Sequence, residues 1–455
     1  MICRFSCRGD VQPPFTSHFS NAMISDLSLK DFVDRRPLQA LQLERLKLIL
    51  SHAYAHSPFY TRAFDAAGVR PDDLHELADL AKFPFTCKTD LRDNYPYGLN
   101  AVPDEEIVRV HASSGTTGKP IVVTYTRDDL QIWSETAGRC FKMGGLTERD
   151  RVLVSYGYSL FTGGMGAHQG AERIGATVVP MGGGNSEKQL MLIRDLGITA
   201  ICCTPSFFIH LMEVAQKTGV DFRQTQLRHG FFGAEPWSDT MRRRIEKETG
   251  ICAHDIFGMS EIMGPGVAGD CEARNGLHIF EDHYYPEIVD PETGEALPPG
   301  HEGELVLTTL DKMAMPLIRY RTHDITTLRF EQCSCGRTIV RMDRVRHRCD
   351  DMLIIRGVNM FPSQIESILL DIDGIEPHYQ IIVTREHAMD DLEIRVEVTA
   401  AVFSDAVRNL EQLRAAIQAK IKHIIGLSAK ITLVEPGSIA RSDGKTRHVI
   451  DLREK

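Results

Sequence analysis

The sequence predicts an α/β protein: a large N-terminal domain of helix-covered parallel sheets with a small β-rich subdomain, then a small α+β C-terminal domain. Three observations predict it. Between Arg151 and Glu261, short apolar strand-like runs alternate with helical stretches, the rhythm of parallel βαβ units. From Leu277 the texture changes to strands punctuated by Pro/Gly turns. From Arg348 a compact mixture of strands and helices follows. At 455 residues the chain has length for roughly three folding units and a sizeable core.

In chain order, residues 1–22 are polar, Pro-bearing and patternless, and are expected to be a disordered tail rather than a secretory signal. LQALQLERLKLILSHAYAHS repeats apolar residues every three or four positions, so helices fill the stretch up to about Ala101. RVLVSYG, ATVVPM, ITAICCTPS, LRHGFFGAE and CAHDIFGMSE then read as strands. GMGAHQGAERIG, SEKQLMLIRDLG and Ser238–Thr249 read as the intervening helices. YYPEIVDPETGEALPPGHEGELVLTTL forms hairpins through PETG and PPGHEG. The N-terminal domain is thus placed at 23–347 and the C-terminal domain at 348–455. The latter has helices at Pro362–Asp371 and around Asp405–Ile424, and strands in HYQIIVTRE, LEIRVEVTA and KITLVEP.

Bulk chemistry narrows the function. The net charge is −10 and no basic run suits nucleic acid; the Lys420–Lys430 stretch reads as a solvated helix face and its exit. No apolar run approaches the ~20 residues of a membrane helix. The 11 cysteines are scattered and odd in number, a poor disulfide framework that fits a reducing cytoplasm.

The segment HASSGTTGKP, residues 111–120, concentrates hydroxyls, glycines and one ammonium. A Walker loop would need Gly where Ser113 stands and Ser or Thr where Pro120 stands, so that pattern fails twice. What remains is a loop between two strands, VRVHA and IVVTYT, either a phosphate cradle of backbone amides and hydroxyls or a plain hairpin turn.

Seven stretches occur in order: SSGTTGKP, SYGYSLFTGGMGAHQGAERIGATVVP, GAEPWS, FGMSE, YRTHD, HRCDDMLIIRGVNMFPSQIE and SIARSDGKTRHVIDL. Together, from about Pro58 to the C-terminus, they resemble the adenylate-forming superfamily, and most of all the phenylacetate–coenzyme A ligases. The resemblance implies that a carboxylic acid attacks the α-phosphate of ATP, and that the acyl group then passes to coenzyme A with release of AMP and pyrophosphate.

It also implies residue roles. Ser113, Ser114, Gly115, Thr116, Thr117, Gly118 and Lys119 would cradle the outer phosphates. Glu261 would hold Mg²⁺ as a hard oxygen ligand. Gly233, Ala234, Glu235, Asp255, Phe257, Gly258, Met259 and Ser260 would complete the ATP site. Phe257 stands where the family more often has Tyr. Asp324 would accept the ribose hydroxyls, with Arg348 nearby. Lys445 would bridge carboxylate and α-phosphate as charge develops, Lys119 and Glu261 being the other catalytic groups. Asp350 matches a hinge about which a mobile C-terminal domain rotates, and Gly357 would approach the cofactor closely. Tyr156, Tyr158, Phe161, Gly163, Gly164, Ala234, Pro236 and Trp237 would line the acyl pocket, glycines beside aromatics suiting a flat ring. His347, Ala440 and Ser159 depart from the family pattern, the first two at the hinge and the lysine motif, the third in the pocket. The resemblance further implies a homodimer.

Cys271 and His278, with Cys333 and Cys335 in a Cys-x-Cys-Gly turn, make a Cys₃His set typical of structural Zn²⁺. The same residues could instead be ordinary buried thiols.

Three other readings stay open: an enzyme adenylylating another acceptor or cofactor, as the deazaflavin-coenzyme synthetases do; a catalytically silent binding homologue; and a kinase or ATPase. The joint presence of Lys119, Glu261, Asp324 and Lys445 counts against silence, and the broken Walker pattern against the last.

Overall fold

The computed structural model describes residues 27–113, 120–345, 347–351, 353–356, 358–386, 389–403, 407–440 and 448–453. The tail expected at residues 1–22 lies outside them.

Helix α1 (Arg35–His56) buries Leu38, Gln42, Leu46, Ile49, Leu50 and Ala53, the three- and four-residue spacing visible in the sequence. Helix α2 (Pro58–Ala67) opens on proline and stops at Gly68, whose φ of 68° favours glycine. After α3 (Lys88–Asp93), strands β1 (Arg109–Ala112) and β2 (Val122–Tyr125) form an antiparallel hairpin with Ala112 opposite Val122. Helix α4 (Arg127–Met143) begins at a reciprocal cap in which Thr126 and Asp129 each accept from the other's backbone N–H.

The parallel part follows as β3 (Arg151–Val154), α5 (Thr162–Arg173), β4 (Thr177–Val179), α6 (Ser186–Asp195), β5 (Ala200–Cys203), α7 (Pro205–Thr218), β6 (His229–Phe232), α8 (Asp239–Thr249) and β7 (Cys252–Phe257). Its strands lie in the order β4-β3-β5-β6-β7. All four residues of β5 are buried, as expected for a strand covered on both faces.

Seven strands follow: β8 (Ala268–Asp270), β9 (Leu277–Ile279), β10 (Tyr284–Val289), β11 (Glu302–Thr309), β12 (Tyr320–Arg329), β13 (Arg341–Met342) and β14 (His347–Arg348). The sequence suggests a small β-rich subdomain here, and its strands continue the parallel sheet. β7 pairs antiparallel with β8, β8 with β9, β9 with β13 and β13 with β12, making one 12-stranded sheet. Three-residue strands such as β8 and β9 cannot sustain a sheet alone and complete the exposed edge of β7.

Beyond the twelve strands, β15 (Leu353–Ile355) and β16 (Val358–Met360) form a hairpin. Then come α9 (Pro362–Leu370), β17 (Ile375–Glu386), β18 (Met389–Val398), α10 (Ala400–Phe403), α11 (Val407–Ile425), β19 (Lys430–Val434) and β20 (Val449–Asp451). The four strands order as β19-β18-β17-β20. Ile365 and Leu369 of α9 and Ile417 and Ile421 of α11 pack on Ile381 and Ile394 of this sheet. The helix expected around Asp405–Ile424 is α11, and Asp405 lies outside the described residues. Two polar contacts join this unit to the body: Nε2 of His378 lies 2.7 Å from Glu213, and Arg244 pairs with Glu376 at 3.1 Å. Among the described residues no helix is long and apolar enough to cross a membrane.

A buried ionic network ties the first residues to the sheet. Arg139 bridges Asp31 at 2.6 Å and Asp282 at 2.8 Å, and Asp31 also receives Arg337 at 3.0 Å. His283 faces Asp311 at 2.7 Å, Asp282 at 3.2 Å and Glu135 at 3.6 Å. Burial alone would lower its pKa, but these carboxylates outweigh it and raise it to about 9. The unfolded imidazole titrates near 6.5, so the stabilisation is complete below that value and is lost as pH rises through about 9. Thermal melts of the wild-type protein are expected to fall over this window, and His283→Gln to flatten the fall. An unchanged pH profile in the variant would contradict the assignment.

Candidate active site

The phosphate-loop candidates Ser114, Gly115, Thr116, Thr117, Gly118 and Lys119 lie outside the described residues, as do Lys445 and Gly357. Their surroundings are described. Ser113 donates its backbone N–H to Ile121 at 3.0 Å, so the β1–β2 hairpin stays zipped up to that loop. On the same side, Ala112 donates to the carbonyl of Leu160 at 2.9 Å, and Nδ1 of His111 lies 3.0 Å from it. The stem of the β1–β2 hairpin is thereby tied to the stretch that carries the acyl-pocket candidates.

FGMSE joins them. Tyr125 of β2 donates its hydroxyl to the Ser260 carbonyl at 3.1 Å, and the Ser260 hydroxyl lies 3.2 Å from that of Thr162 at the start of α5. Three segments remote in sequence therefore meet beside Glu261. Glu261 is 4 % exposed. A carboxylate here is a hard oxygen ligand of the kind that fits Mg²⁺. Behind it, Tyr125 stacks on Trp133, and His111 stands edge-on to both.

A residue not singled out from the sequence sits in this wall. Lys312 is fully buried, donates to the Met315 carbonyl at 2.9 Å, and lies 5.0 Å from the centre of the Tyr125 ring. Burial lowers its pKa to about 8, while Asp129 and Glu261 pull the other way. A buried ammonium between two carboxylates supplies positive charge to the region of Glu261. The only sequence signal was a lysine inside the apolar run LDKMAMPLI.

Strand pairing sets the ribose candidates together. β12 and β14 place Asp324 opposite Arg348, and Arg348 reaches Oδ1 of Asp324 at 3.2 Å. Gly233 and Gly258 serve close packing: a Cβ at Gly233 would lie 2.4 Å from the Ile256 carbonyl, and one at Gly258 would lie 2.6 Å from Gly264. Phe257 is half-buried against the main core, where Met259 also packs. Asp255 engages Arg344 at 3.1 Å.

The acyl-pocket candidates divide. Tyr156 is buried and donates to the Cys203 carbonyl at 2.7 Å; Tyr158 is half-buried, its hydroxyl 3.2 Å from Nδ1 of His168. Phe161 and Gly163 stand beside Tyr156, while a Cβ at Gly164 would strike the Gly157 carbonyl at 2.5 Å. Ala234 holds φ of 70°, a strained turn that presents Glu235, which accepts from the Ser206 N–H at 2.8 Å. Pro236 is exposed. Trp237 is not part of the Tyr156 group: it packs on Phe232, with Arg344 and Arg242 over its ring. From the C-terminal unit, Glu366 approaches Glu235; burial first, then this charge, raises the Glu366 pKa to about 8.

The Cys₃His set converges. Sγ of Cys271 lies 3.8 Å from that of Cys333, and Sγ of Cys335 lies 3.6 Å from Nε2 of His278; all four ligand atoms fall within 4.8 Å of one another. Burial, then Arg337 and Arg341, lower the His278 pKa to about 3, so its ring is neutral.

A large helix-covered sheet with the β1–β2 hairpin beside Glu261, followed by a smaller C-terminal sheet unit, fits the class of AMP-binding, adenylate-forming enzymes. Residues 39–313 match the AMP-binding enzyme family and residues 357–453 the AMP-binding enzyme C-terminal domain. The chain belongs to this family, among the phenylacetate–coenzyme A ligases. It is 51 % identical to the phenylacetate–coenzyme A ligase of Aromatoleum evansii over 94 % of this chain and 98 % of that one. It is 50 % identical to that of Thermus thermophilus over 92 % and 98 %. Among solved structures, a 2-hydroxyisobutyryl-CoA ligase in its postadenylation state superposes with TM-score 0.88 at 32 % identity, covering 94 % of this chain and 93 % of that one. The same ligase in its thioesterification state gives 0.69 at 34 % identity, covering 93 % and 92 %. With coverage alike, the arrangement of this chain resembles the postadenylation state.

Proposed function

We propose that the chain adenylates an aryl or arylacetic acid of the phenylacetate type with ATP and passes the acyl group to coenzyme A. It is an AMP-forming acid–thiol ligase. The observation that carries this reading is the meeting of the β1–β2 hairpin, the acyl stretch and FGMSE through Tyr125, Thr162 and Ser260 beside the buried Glu261. The identity of about half of all residues with phenylacetate–coenzyme A ligases supports the acid class.

Within that reading, Ser113 to Lys119 hold the outer phosphates, Asp324 and Arg348 hold the ribose, and the residues around Tyr156 and Tyr158 receive the acid. Mg²⁺, when bound at Glu261, neutralises charge on the phosphate oxygens. Lys445 arrives on the C-terminal unit, the chain turns about Asp350, and the thiol then reaches the activated carbonyl. A cytoplasmic setting and a homodimer belong to the same reading. Pyrophosphate release across a panel of aryl acids, with coenzyme A omitted and then added, tests it. Release only with phenylacetate-like acids is expected. ADP as product would indicate a kinase, acid-dependent release without any thioester would indicate another acceptor, and no turnover with any acid would indicate a silent homologue.

Structural zinc at Cys271, His278, Cys333 and Cys335 forms part of the proposal. A tetrahedral ion with bonds of ~2.3 Å to sulfur and ~2.05 Å to nitrogen spaces two sulfurs ~3.8 Å apart and a sulfur and a nitrogen ~3.5 Å apart. The distances of 3.8 Å and 3.6 Å at these residues support it. Stoichiometric zinc is expected in protein purified without chelator, and Cys333→Ser is expected to lose the metal and melt at lower temperature. Protein without zinc that melts as the variant does would refute the site.

A further inference from the structure

A second group of ligand atoms lies away from the Cys271 set, where the chain leaves the main sheet for the C-terminal unit. β12 and β14 pair with Asp324 opposite Arg348 and Ile325 opposite His347. One position further along, that register sets His323 against Cys349, and Nδ1 of His323 lies 3.3 Å from Sγ of Cys349. The β11–β12 register shifts between Glu304 and Val306, and in this irregularity His323 adopts φ of 64°. A side chain there costs strain, so the surrounding structure must hold it. The conformation lets the His323 backbone N–H donate to Oε1 of Glu304 at 3.0 Å and leaves Nδ1 3.4 Å from the same oxygen. The sulfur, the nitrogen and a carboxylate oxygen all fall within 4.8 Å of one another.

These separations match a metal's coordination shell. A tetrahedral ion bound at ~2.3 Å to sulfur and ~2.05 Å to nitrogen and oxygen needs N···S of ~3.5 Å and N···O of ~3.3 Å. The two nearest cations are already engaged. Arg321 binds Oε2 of Glu304, which fixes the carboxylate and leaves Oε1 facing the histidine, and Arg348 is turned to Asp324. Glu304 is buried and Cys349 half-buried, so the set is held from below and reachable from one side.

We propose that Cys349, His323 and Glu304 form a binding site for a thiophilic divalent cation such as Zn²⁺, with a fourth position left to water, and that its occupancy brakes the hinge. Binding releases the thiol proton to solvent and changes no oxidation state. The ion ties β11 and β12 to the residue that follows β14, immediately before Asp350, and so stiffens the segment about which the C-terminal unit would turn. The braking role rests on the hinge assignment above; the binding site does not.

Co²⁺ titration of the full-length protein tests it, read by the near-ultraviolet absorption of cobalt thiolate. The parent is expected to bind one equivalent more than Cys349→Ser. His323→Ala is expected to weaken that equivalent by more than the roughly 10–100-fold that losing an outer partner of a ligand costs. Zn²⁺ should displace the extra cobalt, and should slow thioester formation from supplied acyl-adenylate in the parent but not in Cys349→Ser. Equal stoichiometry in parent and variant overturns the site. An extra equivalent with no slowing overturns the brake. The titration uses neither ATP nor acid, so its failure is distinguishable from failure of the ligase reading.

Discussion

Lys445→Ala is expected to abolish adenylation while sparing thioester formation from supplied acyl-adenylate. In the first half-reaction negative charge gathers where the acid's oxygen meets the α-phosphate. A fixed ammonium there is worth more in the transition state than in the ground state. Loss of one such donor lowers the rate by roughly 10²–10³-fold or more, about 3–4 kcal/mol of barrier. The thiol step needs no cation at that place, and the hinge motion proposed about Asp350 would carry the lysine away before the thiol enters. Separate assays of the two half-reactions check this. If both fall together in a variant that melts like the parent, Lys445 does not have this role.

How much of this was legible in the sequence depends on whether the signal was local. The βαβ rhythm was readable because each strand of the parallel part is a short apolar run, such as AICC in β5, flanked by amphipathic helices. The joining of the β-rich part to that sheet was not, because it rests on pairings between β7, β8, β9 and β13, segments of two to six residues with no periodic pattern to read. Glu261 stood out through its motif. Its surroundings did not, since Tyr125 and Thr162 reach the neighbouring Ser260, and Lys312 lies near, from far along the chain. The Cys-x-Cys-Gly turn pointed to its partners through residue chemistry alone, and folding brings all four atoms within 4.8 Å. Cys349 and His323 escaped notice for the opposite reason. Each lies inside a motif singled out for other residues, and only the antiparallel register of β12 and β14 sets them together. At Trp237 the motif GAEPWS carried no sign of Arg344, which packs over its ring from far along the chain.

Glu261→Gln is the second large effect expected, and it separates the metal's role from that of the fold. The substitution keeps shape and removes the charge of a side chain only 4 % exposed, so little packing is lost. What changes is the electrostatics. In the proposed site Mg²⁺ would lose an anionic ligand, and with it the means of neutralising charge on the outer phosphates. Adenylation is expected to fall by roughly 10²–10³-fold, with the Mg²⁺ concentration needed for half-maximal rate rising, while thioester formation from supplied acyl-adenylate changes much less. The variant has a second consequence, which a purely structural carboxylate would not produce at the active site. Lys312 keeps Asp129 but loses Glu261 as a neighbour, so its pKa should drop below the present value of about 8. The contribution of this ammonium should then be lost at lower pH in the variant than in the parent. Adenylation of Glu261→Gln is accordingly expected to decline with rising pH earlier than in the parent, at saturating Mg²⁺. A variant that keeps the parental rate and Mg²⁺ dependence would remove Glu261 from the metal site. A reduced rate with an unshifted pH profile would keep Glu261 there but exclude Lys312 as the charge that supports it.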